Sequence, residues 1–224
     1  PDDDSPTFVI VGTLLQGVVF VATAVLFASL SLKPKAWHFG LRPTRLWAAV
    51  GWATLALVAF YVFAATYTVA LDPDVEQSVT EKLGADEGTL GLIAAGFVVI
   101  VVAPATEEFF FRGFFYRALR TRFGVLSAAL IDGLLFGVIH FEGGSDGLLL
   151  VPPLAVLGFL FCLVYERTGS LYPVIALHAV NNSIAYAAQA DGEAVSAVLG
   201  PLVIAACVVV PRLTGRAPRP LPAL

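Results

Sequence analysis

Seven long apolar runs, separated by short polar loops, constrain the fold of this chain more than any other feature of its sequence. Each run has almost no charge in its interior and suits the roughly 30 Å hydrocarbon core of a bilayer. A segment that crosses lipid must satisfy its backbone polar groups internally, which an α-helix does. We therefore predict an all-α fold, a polytopic transmembrane helical bundle that forms a single domain over residues 1–224. The predicted spans are Phe8–Leu32, Leu46–Leu71, Leu90–Tyr116, Leu126–Phe141, Leu148–Tyr165, Leu171–Ala188 and Ala194–Val210.

The composition agrees with this prediction and excludes other classes. Hydrophobic residues make up 58% of the chain and charged residues only 13%, a balance that water-soluble domains do not have. The 13 Lys and Arg residues fall in short clusters rather than on one basic surface, so nucleic acid is excluded as a partner. Membrane lipid is the partner that this composition predicts. Cys162 and Cys207 lie inside apolar runs without a CxxC spacing and are predicted to be small core residues.

The loop charges predict how the helices are oriented. Lys and Arg collect on the cytoplasmic side of membrane proteins, and the sign of the loop charge alternates along the chain, apart from a neutral loop at Glu166 and Arg167. The pattern predicts an N-terminus outside the cell and a C-terminus in the cytoplasm. The basic loops carry Lys33, Lys35, Arg42 and Arg45, then Arg117, Arg120 and Arg122, then Arg212, Arg216 and Arg219. The acidic segments carry Asp2, Asp3 and Asp4, then Asp72, Asp74, Glu76, Glu81, Asp86 and Glu87, then Glu142 and Asp146, then Asp191 and Glu193.

Ionisable side chains inside the predicted spans are the strongest functional signal. Each costs about 2.5 to 3.5 kcal/mol at the centre of a membrane helix, so such residues usually face the protein interior and serve a function. They are concentrated in the third, fourth and sixth spans, from which we predict an intramembrane polar site. The set comprises Glu107, Glu108, Arg112, Asp132, His140 and His178, together with Asn181 and Asn182.

A spacing of four residues, which places two side chains on one face of a helix, recurs in each of these spans. The pairs are Glu108 with Arg112, Phe136 with His140, and His178 with Asn182. The first pair is interpreted as a supporting ion pair whose charges neutralise each other. Asp132 continues the face of His140 and is a candidate partner for an Arg. Pro104 lacks an N–H and should kink the helix just before the acidic pair, which opens space beside Glu107.

These residue types suit hydrolysis of an amide. A carboxylate shielded from bulk water is a usable general base near neutral pH, and Glu107 is the candidate. His140 would orient the attacking water. The face with His178 and Asn182 offers N–H donors to a developing oxyanion. The implied reaction is the attack of water on an amide carbonyl.

The same residue types also suit a metal site. One Glu and two His can bind zinc with an open position for water, so Glu107, His140 and His178 are alternative metal ligands. A mechanism in which Glu activates water requires no cofactor, and zinc remains the alternative. There is no HExxH motif, and the G-x-S-x-G match at residues 143–147 lies in a loop rather than at a strand-to-helix turn. Taken singly, each histidine also fits a hydrogen-bonded core residue.

Three motifs resemble those of a known family, the CAAX-protease and bacteriocin-processing (CPBP, or Abi) intramembrane peptidases. The motifs are E-E-x-x-x-R at Glu107–Arg112, F-x-x-x-H at Phe136–His140 and H-x-x-x-N at His178–Asn182. They stand in order on separate spans, with one span between the second and the third. The resemblance covers about Leu90 to Ala188 and implies a catalytic core at residues 90–188.

The resemblance implies an intramembrane endopeptidase that cleaves a peptide or membrane-protein substrate in or near a bacterial or archaeal plasma membrane. The family is often called metallopeptidase. Nothing in the sequence indicates recognition of a prenyl group. The implied roles are water activation by Glu107 with His140, an oxyanion site at His178 and Asn182, and a structural role for Glu108 with Arg112.

The family commonly has eight spans with the E-E motif on the fourth, whereas the motif is on the third span here. The chain also contains no Met, and its acidic start lacks the positive region of a signal peptide. We therefore expect one further span upstream in the full-length protein, which would place its N-terminus in the cytoplasm.

Two other functional classes compete with an endopeptidase. A non-catalytic binding or immunity protein would hold a peptide or a partner helix in the same polar cavity. A small transporter would use buried Glu, Asp and His as a proton relay. The transporter has the poorer case, because no inverted repeat or matched pair of broken helices is found in two halves of the sequence.

Overall fold

A computed structural model of the chain describes residues 5–31, 33–71, 79–141 and 143–213. The side chains of Ser145 and Asp146 lie outside this description. Several charges that predict the orientation also lie outside the described residues, so the orientation stays a prediction. They are Asp2, Asp3, Asp4, Asp72, Asp74, Glu76, Glu142, Arg216 and Arg219.

The described residues are helical at each of the predicted spans and contain no strand. A 3-10 turn at Ala36–Phe39 precedes α2, and a single helical turn at Val79–Lys82 precedes α3. The predicted all-α helical bundle is confirmed. The helices are α1 (Pro6–Ser29), α2 (Leu46–Leu71), α3 (Gly88–Arg120), α4 (Val125–Ile139), α5 (Gly144–Thr168), α6 (Tyr172–Gln189) and α7 (Glu193–Leu213).

Within the described residues, five helices are long and apolar enough to cross a membrane: α1, α2, α3, α7 and residues Gly147–Thr168 of α5. Large apolar side chains on these helices are widely exposed, among them Leu15, Leu26, Val62 and Leu202. Such a surface suits contact with lipid rather than water. The chain is an integral membrane protein.

The other two predicted spans, α4 and α6, fit a membrane helix less well. Helix α4 is apolar but has only 15 residues, and α6 has 18 residues that include His178, Asn181 and Asn182. These two helices carry the second and third motifs. Polar residues in membrane proteins usually face other protein segments rather than lipid, which accounts for the lower apolarity of α6. Among the described residues, five of the seven predicted spans have the length and composition of a helix that crosses a membrane.

The described residues form two compact units. The first unit contains α1, residues 88–110 of α3, residues 175–189 of α6, and α7. The second unit contains α2, residues 111–120 of α3, α4 and α5. A single domain over residues 1–224, with a catalytic core at residues 90–188, stays a prediction.

In the first unit, a small residue lets α1 pack closely against residues 103–110 of α3. A Cβ added at Gly17 would lie 3.1 Å from the side chain of Thr106. Next to this contact, Phe20 stacks on Phe110 with 4.8 Å between the ring centroids. The contact with α1 therefore supports the part of α3 that carries the acidic pair.

In the second unit, α4 and α5 pack backbone to backbone. A Cβ added at Gly133 would lie 2.6 Å from the Ala155 carbonyl oxygen, and one at Gly137 would lie 2.6 Å from the Val151 carbonyl oxygen. Two glycines one turn apart thus allow the helices to approach more closely than any side chain would permit. The approach encloses the polar face of α4, where Asp132 is fully buried.

A proline inside α5 leaves a carbonyl that a side chain satisfies. Pro153 has no N–H for the carbonyl four residues before it, that of Leu149. The hydroxyl of Tyr67 on α2 donates a hydrogen bond to this carbonyl at 2.9 Å. An unpaired backbone group in lipid costs several kcal/mol, so the tyrosine compensates for the missing amide.

Candidate active site

The first motif follows a distorted turn of α3. Residues Val98–Val102 form a π-helical turn, in which an N–H bonds to the carbonyl five residues before it. The Ala103 N–H accordingly donates to the Val98 carbonyl. Pro104 comes next and has no N–H. Pro104 predicts a kink before the acidic pair, and the structure has a widened turn directly before the proline. The open space expected beside Glu107 stays a prediction.

Glu107, Glu108 and His178 form a cluster in the first unit. His178 Nδ1 lies 2.8 Å from Glu108 Oε1, and His178 Nε2 lies 4.0 Å from Glu107 Oε2. Glu108 is fully buried and His178 nearly so, whereas 14% of the Glu107 side chain is exposed. Two successive carboxylates thus face the two nitrogens of one imidazole ring. The Glu107 side chain, whose carboxylate is farther from the ring, is the less buried of the two, although its Oε2 is itself buried.

The hydrogen bond to Glu108 determines what the other nitrogen of His178 can do. An ionised carboxylate only accepts hydrogen bonds, so the ring donates its Nδ1–H to Glu108. In the neutral ring Nε2 then accepts a proton or a hydrogen bond, and in the doubly protonated ring Nε2–H donates one. The Glu108 carboxylate therefore orients the imidazole. Spacing alone suggests Arg112 as the partner of Glu108, but the hydrogen bond described here joins Glu108 to His178.

Asn182 lies one turn after His178 on α6 and binds the distorted turn of α3. Its Nδ2–H donates to the Val99 carbonyl at 2.9 Å. The Asn181 amide donates to Asn182 Oδ1 at 3.4 Å. The Asn182 amide group is thus held at both its nitrogen and its oxygen, and one of its N–H groups is committed to the backbone of α3.

A third side chain extends this face of α6 by one more turn. The hydroxyl of Tyr186 donates to the Leu92 carbonyl at 2.5 Å. Side chains at 178, 182 and 186 therefore contact residues 108, 99 and 92 of α3, in reverse chain order. Because residues spaced by four share a helix face, these side chains form a stripe of polar contacts between two helices of the first unit. Tyr186 continues the spacing of four from His178 and Asn182, and this spacing is the sequence signal that identifies it as part of the same face.

Arg112 and Asp132 form a buried ion pair in the second unit. The Arg112 Nε lies 3.4 Å from Asp132 Oδ1, and neither side chain is exposed. A terminal guanidinium nitrogen of Arg112 also donates to the Gly158 carbonyl at 2.9 Å. The expectation that Asp132 partners an Arg is confirmed. The sequence does not indicate the contact with Gly158, because the acceptor is a backbone carbonyl that every residue has.

Aromatic rings and a thiol complete the surroundings of this ion pair. Cys162, buried as predicted, donates its S–H to Asp132 Oδ1 at 3.1 Å. Guanidinium groups bind favourably over aromatic faces. The distances from the Arg112 Cζ to the ring centroids are 4.6 Å for Phe136, 5.1 Å for Phe161 and 5.5 Å for Phe111. We call Arg112, Asp132, Cys162 and the three rings the Arg112 cluster. Its ion pair is fully buried, as in a structural core.

His140 belongs to the second unit and lies at the carboxyl end of α4, where it is half-buried. Its Nδ1 lies 2.7 Å from the Phe136 carbonyl oxygen. A carbonyl oxygen only accepts hydrogen bonds, so Nδ1 carries the proton. The neutral ring then presents Nε2 as an acceptor, which is the form that can orient a water molecule.

The predicted zinc ligands do not form one group within either unit. Within residues 5–31, 33–71, 79–141 and 143–213, no set of three or more His, Cys, Asp or Glu side chains is arranged to hold a metal ion. Glu107 and His178 lie together in the first unit, and His140 belongs to the second. The zinc alternative stays a prediction, which metal analysis of the purified protein and treatment with chelators would test.

Comparison with known proteins is informative for the region that holds the three motifs. Residues 89–184 match the family model described as "Type II CAAX prenyl endopeptidase Rce1-like". "Putative membrane peptidase YdiL" of Bacillus subtilis (strain 168) is 30% identical over 91 residues, which are 41% of this chain and 35% of YdiL. "Uncharacterized protein YyaK" of the same strain is 34% identical over 95 residues, which are 41% of this chain and 32% of YyaK.

A third relative is matched over a longer segment. "Uncharacterized 24.3 kDa protein" of Escherichia coli is 30% identical over 131 residues, which are 58% of this chain and 59% of the relative. The chain thus spans between about a third and three fifths of the length of these relatives. No solved structure matches the chain. The resemblance predicted from the motifs is confirmed, because residues 89–184, which carry all three motifs, match the Rce1-like family of type II CAAX prenyl endopeptidases.

Proposed function

We propose that this protein is an intramembrane endopeptidase of the CAAX-protease and Abi type, which hydrolyses a peptide bond in or near the membrane with water activated by Glu107. The observation that carries the proposal is the cluster of Glu107, Glu108 and His178. The carboxylate of Glu107, a side chain that is 14% exposed, lies 4.0 Å from an imidazole nitrogen, and the ring is oriented by a second, fully buried carboxylate. The match of residues 89–184 to a peptidase family supports the same class of reaction.

Glu107 is the general base in this proposal. Its side chain is the less buried of the acidic pair, whereas Glu108 is fully buried and bound to His178. Glu107 takes a proton from water as the water oxygen bonds to the carbonyl carbon of the substrate. The resulting tetrahedral intermediate carries an oxyanion. When the C–N bond breaks, the proton on Glu107 passes to the leaving amine, which restores the carboxylate.

The two histidines have different roles. His140 presents Nε2 as an acceptor, since its Nδ1–H is bonded to the Phe136 carbonyl, and it orients the water. His178 stabilises the oxyanion through Nε2–H, which requires the doubly protonated ring because Nδ1–H is already donated to Glu108. Asn182 is the second residue assigned to the oxyanion site by the motif. One of its N–H groups binds the Val99 carbonyl.

The substrate is a peptide or a membrane protein, and the enzyme resides in the plasma membrane of a bacterium or archaeon with its C-terminus in the cytoplasm. The apolar exposed surface supports a site reached through lipid. The basic residues that follow α1 and those at and beyond the carboxyl ends of α3 and α7 support the orientation. A reporter enzyme fused after Leu224 that is active only outside the cytoplasm should remain inactive, and its activity would contradict the orientation.

Cleavage should be tested with the purified protein in proteoliposomes that are fused with bacterial inner-membrane vesicles. New protein N-termini are identified by mass spectrometry for the wild type, Glu107→Gln and Glu81→Gln. Loss of a general base typically costs about 10² to 10⁴ in rate, so cut sites of the wild type should be at least about 100-fold weaker with Glu107→Gln. Glu81 is exposed in the turn before α3 and serves as the matched control.

Two results would contradict the proposal. Glu107→Gln that folds normally and still produces the wild-type cut sites would remove Glu107 as the base. A wild type that produces no cut sites would favour the non-catalytic binding or immunity protein. Thermal unfolding of each variant in detergent serves as the folding control.

A further inference from the structure

We infer that Asn182 is a positioning residue, whose side-chain amide replaces the backbone N–H that Pro104 lacks and so holds His178 in register with the acidic pair of α3. The inference rests on the proposed function for its effect on cleavage, but the contact itself does not depend on that function. It differs from the role that the H-x-x-x-N motif implies, in which Asn182 contacts the reacting atoms directly.

The hydrogen bonds of the widened turn identify the carbonyl that needs a donor from outside α3. In a regular α-helix the Val99 carbonyl would receive the N–H of residue 103, and in a π-helical turn that of residue 104. The Ala103 N–H donates to the Val98 carbonyl instead. Residue 104 is a proline and has no N–H. Neither the α-helical nor the π-helical donor therefore reaches the Val99 carbonyl.

The Asn182 side chain supplies the donor. Its Nδ2–H reaches the Val99 carbonyl at 2.9 Å, and Asn181 binds its oxygen at 3.4 Å. This second contact fixes which end of the amide faces α3. A carbonyl in a membrane helix needs such a partner, because no water is present in the hydrocarbon core to replace it.

The contact sets the height of His178 relative to the acidic pair. His178 and Asn182 are four residues apart, about 6 Å along the axis of α6, and lie on the same face. On α3, Pro104 precedes Glu107 by three residues. One face of α6 thus binds α3 on both sides of the proline, at the Val99 carbonyl and at the Glu108 carboxylate. A shift of α6 along α3 would break both contacts and change the distance between His178 Nε2 and Glu107.

The second unit also has a side chain that donates to a carbonyl left without a donor by a proline. There the hydroxyl of Tyr67 binds the Leu149 carbonyl, which lies four residues before Pro153. In both units a side chain of another helix replaces the donor that a proline lacks. In the first unit, the residue that does so lies one turn from a candidate catalytic histidine.

A double-variant cycle between Pro104→Ala and Asn182→Ala tests the inference. Alanine at position 104 restores an N–H, which in the π-helical register donates to the Val99 carbonyl. Asn182→Ala in the wild-type background should lower the unfolding midpoint in detergent and reduce the cut sites in inner-membrane vesicles at least tenfold. In the Pro104→Ala background the same substitution should have a much smaller effect on both measurements. Equal effects in the two backgrounds would overturn the inference and favour direct contact of Asn182 with the reacting atoms.

Tyr186→Phe is the matched control, because it removes the neighbouring contact of α6 with α3 at Leu92, away from the proline. Its effect should be the same in both backgrounds. If Asn182→Ala does not fold, Asn182→Leu has nearly the same shape and no N–H, and it replaces alanine in the cycle. A loss of folding with Asn182→Leu that Pro104→Ala does not relieve would overturn the inference.

The nitrogen NMR shifts of the His178 ring separate positioning from a general loss of stability. The chain has three histidines, so the ring signals can be assigned by substitution of the other two. Asn182→Ala should shift the His178 signals, and Pro104→Ala should move them back, whereas Tyr186→Phe should leave them in place. These shifts and the unfolding midpoints are measured without cleavage. They therefore decide the inference even if Glu107→Gln shows that the proposed enzymatic function is wrong.

Discussion

The two units hold two ionisable clusters that look alike in sequence and differ in structure. In the first unit, Glu107 remains partly accessible beside His178. In the second unit, Arg112 and Asp132 are fully buried, and three aromatic rings lie around the guanidinium. Both clusters consist of charged residues inside apolar segments, and both include residues of the E-E-x-x-x-R motif. The degree of side-chain burial, rather than charge alone, therefore distinguishes a candidate reactive group from a structural one within a membrane.

The largest effect is expected from breaking the buried ion pair. Arg112→Met leaves the Asp132 carboxylate buried without its cation, and such a change typically costs about 3 to 5 kcal/mol. We expect a loss of this size in the free energy of unfolding, measured by SDS titration in mixed micelles. Adding Asp132→Leu should recover most of the loss. A cost below about 1 kcal/mol for Arg112→Met would show that the Arg112 cluster is not a structural core.

Glu108→Gln tests whether Glu108 only stabilises the fold or also orients the candidate reactive residue His178. Glu108 is buried like the ion pair but binds the imidazole of the candidate reactive cluster. A hydrogen bond to a charged group contributes about 1.5 to 3 kcal/mol, so Glu108→Gln should lower the free energy of unfolding by roughly that amount. It should also reduce the cut sites in inner-membrane vesicles, because glutamine orients the ring less firmly. A change in stability with full cleavage would make Glu108 purely structural.

Gly133→Ala tests the close approach that encloses the Arg112 cluster. The new methyl group would meet the Ala155 carbonyl and the Phe159 amide nitrogen, both at 2.6 Å. These are backbone atoms that cannot move aside, and overpacking of this kind typically costs about 1 to 3 kcal/mol. Gly51→Ala on α2 is the control, since a Cβ there meets nothing within 4 Å. An equal effect of the two substitutions in SDS titration would argue against close packing of α4 on α5.

The smallest effect concerns His38, which lies outside both clusters in the turn before α2. Burial lowers the pKa of His38, and the charges of Lys35 and Arg117 lower it further. The folded protein therefore favours the neutral ring, whose Nδ1 accepts the Lys35 N–H at 3.2 Å. As the pH falls through about 6.5, the unfolded state takes the proton first, so the folded state loses stability.

The measurement for His38 is the unfolding midpoint between pH 8 and pH 5. The wild type should be steady above about pH 6.5 and less stable below it. His38→Gln keeps an acceptor for the Lys35 amide but does not titrate, so the difference between the two proteins isolates the contribution of this histidine. A pH dependence that is the same in both proteins would contradict the prediction.

Much of the fold was accessible from hydropathy and helical spacing. The predicted span at Leu46–Leu71 coincides with α2. The predicted span at Leu90–Tyr116 is shorter than α3, which continues to Arg120. The helix extends beyond the apolar run because arginine ends a hydrophobic segment but favours a helix. Helix α4 ends at Ile139, so His140 lies at its end rather than within it.

Hydropathy and the helical period of 3.6 identify which residues are costly in a membrane and which of them share a helix face, because both are local properties of the sequence. Which carboxylate contacts which base depends instead on how the helices pack. Helical spacing suggests Glu108 with Arg112, a pair that stays a prediction, but it does not specify the contacts of Glu108 with His178 and of Arg112 with Asp132. Pairing between helices depends on their relative rotation and height. Those are set by close contacts such as Gly133 on α5 and Asn182 on the Val99 carbonyl, which join residues far apart in the chain.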